Sequence, residues 1–229
     1  MVRANLDALR AVRALQAQGR RATPAEQAVL ARWSGWGAVP EALDERREDF
    51  AWARAELGQL LSPEEVRAAA RNTLNAHYTD LRLVQPIWDA AQRLGFAGGR
   101  VLEPGCGSGN FIGAAPAGAQ MVGVELDPIT AQIAAQLYPD AQILAESFAA
   151  TRAPRGSFDL VVGNVPFAKV TLRDREFNRG GHSIHNHFIL KSLALTAPGG
   201  LVALLTSRYT LDAQNPAARR EIVRVRAHV

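Results

Sequence analysis

From residue 100 onward the chain alternates short apolar runs with helix-forming stretches, and that alternation constrains the fold more than any other feature. Helices of this kind cross over between parallel strands and cover both faces of one sheet. Strands are expected at 100–103, 120–125, 141–145, 158–164 and 201–207. A helix is expected at 128–138, with Asp127 as cap and Pro128 in its first turn. Others are expected at 184–196, stopped by Pro198-Gly199-Gly200, and at 213–226, which is basic.

The region before about Tyr78 lacks strands and reads as helical, so residues 1–75 are expected to form a helical extension to an α/β domain at 76–229. Leu6, Leu9, Val12 and Leu15 form a helical stripe. Thr23-Pro24-Ala25-Glu26 is a capping box with proline at the first helical position, and Ser62-Pro63-Glu64-Glu65 repeats it, with Leu61 and Val66 placed as a hydrophobic staple. Between them, Trp33-Ser34-Gly35-Trp36-Gly37 has two readings: tryptophans that stack on bases, or tryptophans that anchor a loop to a neighbouring core.

At 229 residues the chain can bury one good-sized core. Its net charge of +4 permits nucleic-acid binding without demonstrating it. Lys169 and Lys191 are the only lysines, so arginine carries the positive charge. Phosphate recognition explains that bias, and so does a GC-rich coding sequence. The single cysteine, Cys106, rules out an internal disulfide and a cysteine metal cage, and fits an intracellular, cytoplasmic protein. No apolar run approaches the ~20 residues of a membrane helix, so no membrane partner is expected.

The turn after the first strand, Glu103-Pro104-Gly105-Cys106-Gly107-Ser108-Gly109-Asn110, is rich in the residue that lets a backbone bend sharply against a ligand. Glu125, about 20 residues after Gly105, ends the next strand, where a carboxylate accepts hydrogen bonds from both ribose hydroxyls of a nucleoside. The turn lacks the Gly-x-Gly-x-x-Gly spacing that admits a pyrophosphate. Glu103 beside it suits a cationic sulfonium better than a diphosphate, so S-adenosylmethionine is expected rather than NAD. Glu146-Ser147-Phe148 follows the third strand, where Phe148 either covers the cofactor's adenine or belongs to the core. Thr79 either caps the next helix or lies where a helix start binds the cofactor's carboxylate.

The fourth strand runs straight into Asn164-Val165-Pro166-Phe167. A side-chain amide oxygen and a backbone carbonyl, the latter held extended because proline follows, can each accept one N–H of an exocyclic amine. Two such acceptors direct the nitrogen lone pair at a methyl donor, while an aromatic ring stacks on the heterocycle. Beyond the turn, Arg173, Arg175, Arg179 and Gly180-Gly181 suggest a mobile DNA-contacting loop, a solvated surface loop being the rival reading. His182, His185 and His187 lack the cysteine or carboxylate spacing of a metal site, so no metal is expected; His187 and Phe188 are expected to open a helix whose face lines the target pocket.

These motifs resemble the gamma-order N6-adenine DNA methyltransferases over 77–207. More closely, Ala76-His77-Tyr78-Thr79, residues 102–113, residues 163–167 and the Ser34-Gly35-Trp36-Gly37 turn resemble the domain that opens large phage and plasmid methyltransferase–helicase fusions, some linked to anti-restriction. The resemblance implies a class I S-adenosylmethionine-dependent methyltransferase fold, a mostly parallel Rossmann-like sheet with helices on both faces. It implies adenine-specific methylation of DNA after base flipping. By position, Asn164, Val165, Pro166 and Phe167 would be catalytic. Tyr78, Thr79, Glu103, Pro104, Gly105, Gly107, Glu125, Leu126, Ser147, Phe148 and Asn164 would bind the cofactor. Arg173, Arg175, Arg179 and His187 would contact DNA. Val165 stands where the broader family has a first proline. The family's sixth and seventh strands and target-recognition domain are not evident, which implies a fused or separate helicase or recognition partner. Two alternatives stay open: a cofactor-binding but inactive module of a larger helicase or virion protein, and an amine methyltransferase acting on RNA or on protein glutamine.

Overall fold

The computed structural model describes residues 1–72, 79–168 and 170–226. Ala76, His77 and Tyr78, and with them the first part of the expected Tyr-Thr motif, lie outside the described residues. The N-terminal region comprises α1 (Val2–Gln18), α2 (Pro24–Leu30), α3 (Ala51–Leu60) and α4 (Pro63–Asn72). The sheet domain follows as α5 (Leu81–Arg93), β1 (Gly99–Pro104), α6 (Asn110–Gly113), β2 (Ala119–Glu125), α7 (Pro128–Leu137), β3 (Gln142–Ala145), β4 (Phe158–Asn164), α8 (Ile184–Leu195), β5 (Thr196–Leu205), α9 (Tyr209–Asp212) and α10 (Ala217–Arg226).

Both predicted capping boxes form. The Thr23 side chain accepts from Glu26 N–H while the Glu26 carboxylate accepts from Thr23 N–H. Ser62 and Glu65 make the same reciprocal pair, at 2.8 and 3.2 Å. Leu61 and Val66, the expected staple, join one core with the stripe Leu6, Leu9, Val12 and Leu15. That core includes Ile129 and Ile133 of α7, so the helical region packs directly on the sheet domain. Gln27 and Ala22 add polar ties to the end of α7 through Gln136 and Leu137.

The sheet is parallel throughout, in the order β3-β2-β1-β4-β5. Side chains alternate across it as a pleated strand requires. On one face Val101, Leu160 and Val162 pack with Val84 and Trp88 of α5. On the other, Leu102 and Val161 pack with Phe188 and Leu195 of α8. A sheet apolar on both faces must be covered twice. Trp88 is fully buried, and its indole N–H donates to the Phe111 carbonyl at 3.1 Å.

Two boundaries differ from expectation. β5 begins at Thr196 rather than 201: Phe158 pairs with Thr196 and Leu160 with Leu201, so residues 197–200 bulge out of register around Pro198-Gly199-Gly200. A sequence rule that ends structure at Pro-Gly-Gly cannot see that strand resume on both sides. The helix expected at 213–226 begins only at Ala217, as α10, because Pro216 cannot continue a helix through that point, and the short α9 precedes the expected range.

Candidate active site

The C-terminal ends of parallel strands form the edge where open α/β sheets bind ligands, and the predicted motifs meet there. One cleft is lined by Thr79, Glu103, Gly105, Gly107, Glu125, Leu126, Ser147, Phe148 and all four residues of the Asn164-Val165-Pro166-Phe167 turn. Pro104, the last residue of β1, is buried beneath the turn and is not in the lining.

The glycine turn adopts the backbone it was expected to need. Gly105 and Gly107 have φ of 72° and 56°, a left-handed region costly for any other residue. A Cβ added at Gly105 would lie 3.7 Å from Pro166 Cδ and 3.7 Å from a Phe188 ring carbon, so the glycine turn and the Asn-Val-Pro-Phe turn face each other at close range. Asn110 ties the turn to the segment before α5 by donating to the Thr79 carbonyl at 2.7 Å. Thr79 is not the helix cap; Asp80 is, accepting from Arg82 N–H.

Glu125 holds this arrangement from β2. Its two carboxylate oxygens accept from Gly107 N–H at 2.9 Å and from Asp127 N–H at 2.8 Å. Burial pushes the Glu125 carboxyl up to about 7, against the pull of these N–H groups. Glu103, 3% exposed, has one carboxylate oxygen with no hydrogen-bond partner. Burial and the neighbouring Glu125 hold its carboxyl well above the usual range. Two carboxyl groups in one apolar cleft, one of them unpaired, suit a ligand that brings hydroxyl donors and positive charge. The residues therefore fit the ribose and the cationic half of S-adenosylmethionine. Asp127 is the cap of α7, accepting from Thr130 N–H and Oγ.

Asn164 ends β4 opposite Leu205, and Val165 N–H donates to the Leu205 carbonyl at 3.0 Å. This fixes the Val165 peptide, with its side chain buried, before the chain turns at Pro166. The Asn164 carboxamide makes no side-chain hydrogen bond to another described residue, and Phe167 is 50% exposed beside it. Phe148 meets both alternatives offered for it: it lines the cleft and packs in the core at 4.8 Å, centroid to centroid, from Phe188. Trp33 and Trp36 are buried, T-shaped at 5.7 Å, and Trp33 Nε1–H donates to Thr130 Oγ. They anchor the N-terminal turn over the cleft wall, which both also line.

The segment after the turn requires corrections. Arg173, Arg175 and Arg179 are exposed, but the loop is pinned rather than free. The Asn178 side chain bonds the Leu172 and His182 carbonyls and His182 N–H. Asp174 accepts from Glu176 and Phe177 N–H. His187, expected at the DNA surface, is fully buried and pairs through Nε2 with Asp174 at 3.0 Å. Its apolar neighbours and the Asp174 carboxylate take it inside; the side of α8 that reaches the cleft carries Ile184 and Phe188. His182 pairs with Glu221, and His185 with Ser183 Oγ. The three histidines thus have separate partners, and no group of three or more His, Cys, Asp or Glu among the described residues is placed to hold a metal.

Lys191 carries a structural role that its sequence context did not signal. It is 1% exposed and donates to the Phe148 and Thr151 carbonyls at 2.6 and 3.0 Å and to Asp174 at 3.2 Å. Burial pushes the Asp174 carboxyl up, but His187, two backbone N–H groups and Lys191 pull harder, and it settles at about 2. Lys191 so joins the segment after β3 to the loop after β4.

Residues 102–176, about a third of the chain, match the family described as a methyltransferase domain. The chain is 26% identical over 174 residues to Defense against restriction protein B of Escherichia phage P1, an alignment covering 73% of this chain and 8% of that protein. It is 28% identical over 174 residues to Type II methyltransferase M.XamI of Xanthomonas campestris pv. amaranthicola, covering 65% of this chain and 32% of that one. The chain thus spans well under half the length of either relative. Among solved structures, a type I restriction-modification system methyltransferase subunit from Streptococcus thermophilus superposes with a TM-score of 0.54 at 16% identity, over 79% of this chain and 47% of that one. The fold is that of class I S-adenosylmethionine-dependent methyltransferases, and the resemblance read from the motifs is borne out. S-adenosylmethionine is the cofactor that family match and fold imply. Among the described residues no helix is long and apolar enough to cross a membrane.

Proposed function

We propose that this chain transfers a methyl group from S-adenosylmethionine to the N6 amino group of adenine in DNA. The observation that carries the reading is the Asn164 carboxamide, lining the cleft without a side-chain hydrogen bond to another described residue, beside the fixed Val165 peptide on a turn whose Pro166 closely approaches the glycine turn. The cofactor supplies an electrophilic methyl on a sulfonium. Glu125 accepts hydrogen bonds from its ribose, and Glu103 faces its positive charge. The target adenine enters the cleft after flipping from its stack, at a cost of a few kcal/mol. Asn164 Oδ1 and the Val165 carbonyl each accept one amine N–H, which concentrates the lone pair on the nitrogen and directs it at the methyl. Phe167 stacks on the base, contributing ~1–3 kcal/mol. As the N–C bond forms the S–C bond breaks, leaving a neutral thioether, and the amine loses one proton to solvent. The work is positioning and electrostatics, so no general base is needed. DNA as substrate draws support from the two relatives, whose names tie them to restriction and to type II methylation. Exposed Arg173, Arg175 and Arg179 supply charge for phosphates.

The test is to incubate the chain with S-adenosylmethionine tritiated on the methyl group and with DNA, RNA or protein acceptors. Label in DNA, recovered on digestion as N6-methyldeoxyadenosine, is the expected result. Label in RNA or protein alone overturns the substrate assignment, and label nowhere overturns the activity of this chain.

A further inference from the structure

The segment beyond β5 emerges beside the Asn-Val-Pro-Phe turn. β4 and β5 are parallel with Asn164 opposite Leu205, so residues 165–167 and 206–209 leave the sheet side by side at one edge. In this segment Thr210 is buried, while Tyr209 and Leu211 on either side of it are 60% and 75% exposed. Arg208 lays its guanidinium over the Tyr209 ring, 5.6 Å from the centroid. Single exposed apolar residues are ordinary on any surface. Here, however, several follow the C-terminal ends of strands: Leu126 after β2, Phe167 and Val170 after β4, and Tyr209 and Leu211 in α9 after β5. The C-terminal ends of the strands are also where open α/β sheets take up ligands.

We propose that Arg208 and Tyr209 form a second nucleic-acid contact, in which Tyr209 stacks on an unpaired base adjoining the target and Arg208 meets its phosphate. The proposal rests on the DNA reading above and deepens it. The occupant follows from the chemistry of the patch. An exposed aromatic ring with a guanidinium against its face combines a platform for a flat heterocycle with a charge for the backbone. Asp212 is the only carboxylate in 206–216. Flipping one base leaves its neighbours without a stacking partner, and an aromatic ring next to the cleft mouth replaces it. Phe167 then holds the target base, and Tyr209 the strand beside it.

The experiment measures fluorescence anisotropy of a short labelled single-stranded DNA of mixed sequence with the full chain, across a salt series. Y209A should weaken binding by about tenfold, the loss of one base–aromatic stack, with the salt slope unchanged. Y209F should bind as the parent does. R208A should reduce the salt slope by the contribution of about one phosphate contact. Because both residues are exposed, all three variants should keep the parent's melting temperature and its calorimetric affinity for S-adenosylhomocysteine. Y209A binding DNA as tightly as the parent overturns this inference alone, as does a loss shared equally with cofactor affinity. A parent chain that binds S-adenosylhomocysteine but no DNA overturns the DNA reading and this inference with it.

Discussion

Replacing Glu125 by glutamine probes the cofactor site through both affinity and protons. In the free protein the two carboxylate oxygens already hold Gly107 and Asp127 N–H groups. A glutamine must therefore turn its NH2 toward one of those donors and offer the ribose one acceptor fewer. Hydrogen bonds to a charged acceptor contribute ~1.5–3 kcal/mol each, so losing one costs about 2 kcal/mol, or about 30-fold in affinity near neutral pH. The pH dependence has a definite sign. Burial raises the Glu125 carboxyl to about 7 in the free protein, whereas ribose hydroxyls donate more strongly to its ionised form, which accepts at both oxygens. Binding thus releases a proton below pH 7, and affinity falls as the carboxyl protonates. For a group titrating near 7, most of the ionised form is lost between about pH 7.5 and about pH 5.5, so affinity falls by up to about 25-fold. Glu103, also raised, adds in the same direction. Calorimetry with S-adenosylhomocysteine in buffers of different ionisation enthalpy measures affinity and proton release together. The parent should release about 0.9 proton near pH 6 from Glu125, and E125Q should show a shallower pH slope. A parent affinity that is flat across this range, or an E125Q variant binding like the parent, would refute the ribose role.

Asn164→Ala should lower methyl transfer at least ~100-fold, the scale of removing one positioned polar contact at a reacting centre, while S-adenosylhomocysteine affinity by calorimetry stays within a few-fold. Lys191→Met leaves Asp174 with one fewer partner and the Phe148, Ala149 and Thr151 carbonyls without this donor; breaking a buried pair costs ~3–5 kcal/mol, so thermal unfolding should shift down by many degrees. A Tm equal to the parent's would show that the Lys191 hydrogen bonds carry little stability. Gly109→Ala should also destabilise, measured by urea unfolding, because φ is +90° and the new Cβ would sit 2.6 Å from a Tyr138 ring carbon.

Local signals accounted for what the sequence revealed. Proline and acidic residues at fixed offsets located the starts of α2 and α4, since a capping box closes within four residues. Strands β1 to β4 were legible because both sides of a covered sheet must be apolar, and the glycine turn because its φ values demand glycine. What depended on distant partners was not. His187, expected to contact DNA from a helix lining the target pocket, is instead enclosed by Asp174, in the preceding loop, and the Phe148 ring. Lys191 carried no local mark of burial, because its acceptors lie some 40 residues earlier in the chain. The tryptophans of the N-terminal turn became interpretable only through Thr130 and the wall of the cleft. Pro198-Gly199-Gly200 misled because its local meaning, a stop, was overridden by pairing with β4 on either side.

The proposed methyl transfer depends on the gap between the Gly105 turn and the Asn164 carboxamide. A crystal structure of the chain soaked with S-adenosylhomocysteine measures it directly. The predicted result has the ribose hydroxyls on Glu125 and the sulfur opposite Asn164 Oδ1 and the Val165 carbonyl, with room between them for a single amine. Cofactor bound elsewhere, or with its sulfur turned away from that pair, would contradict it.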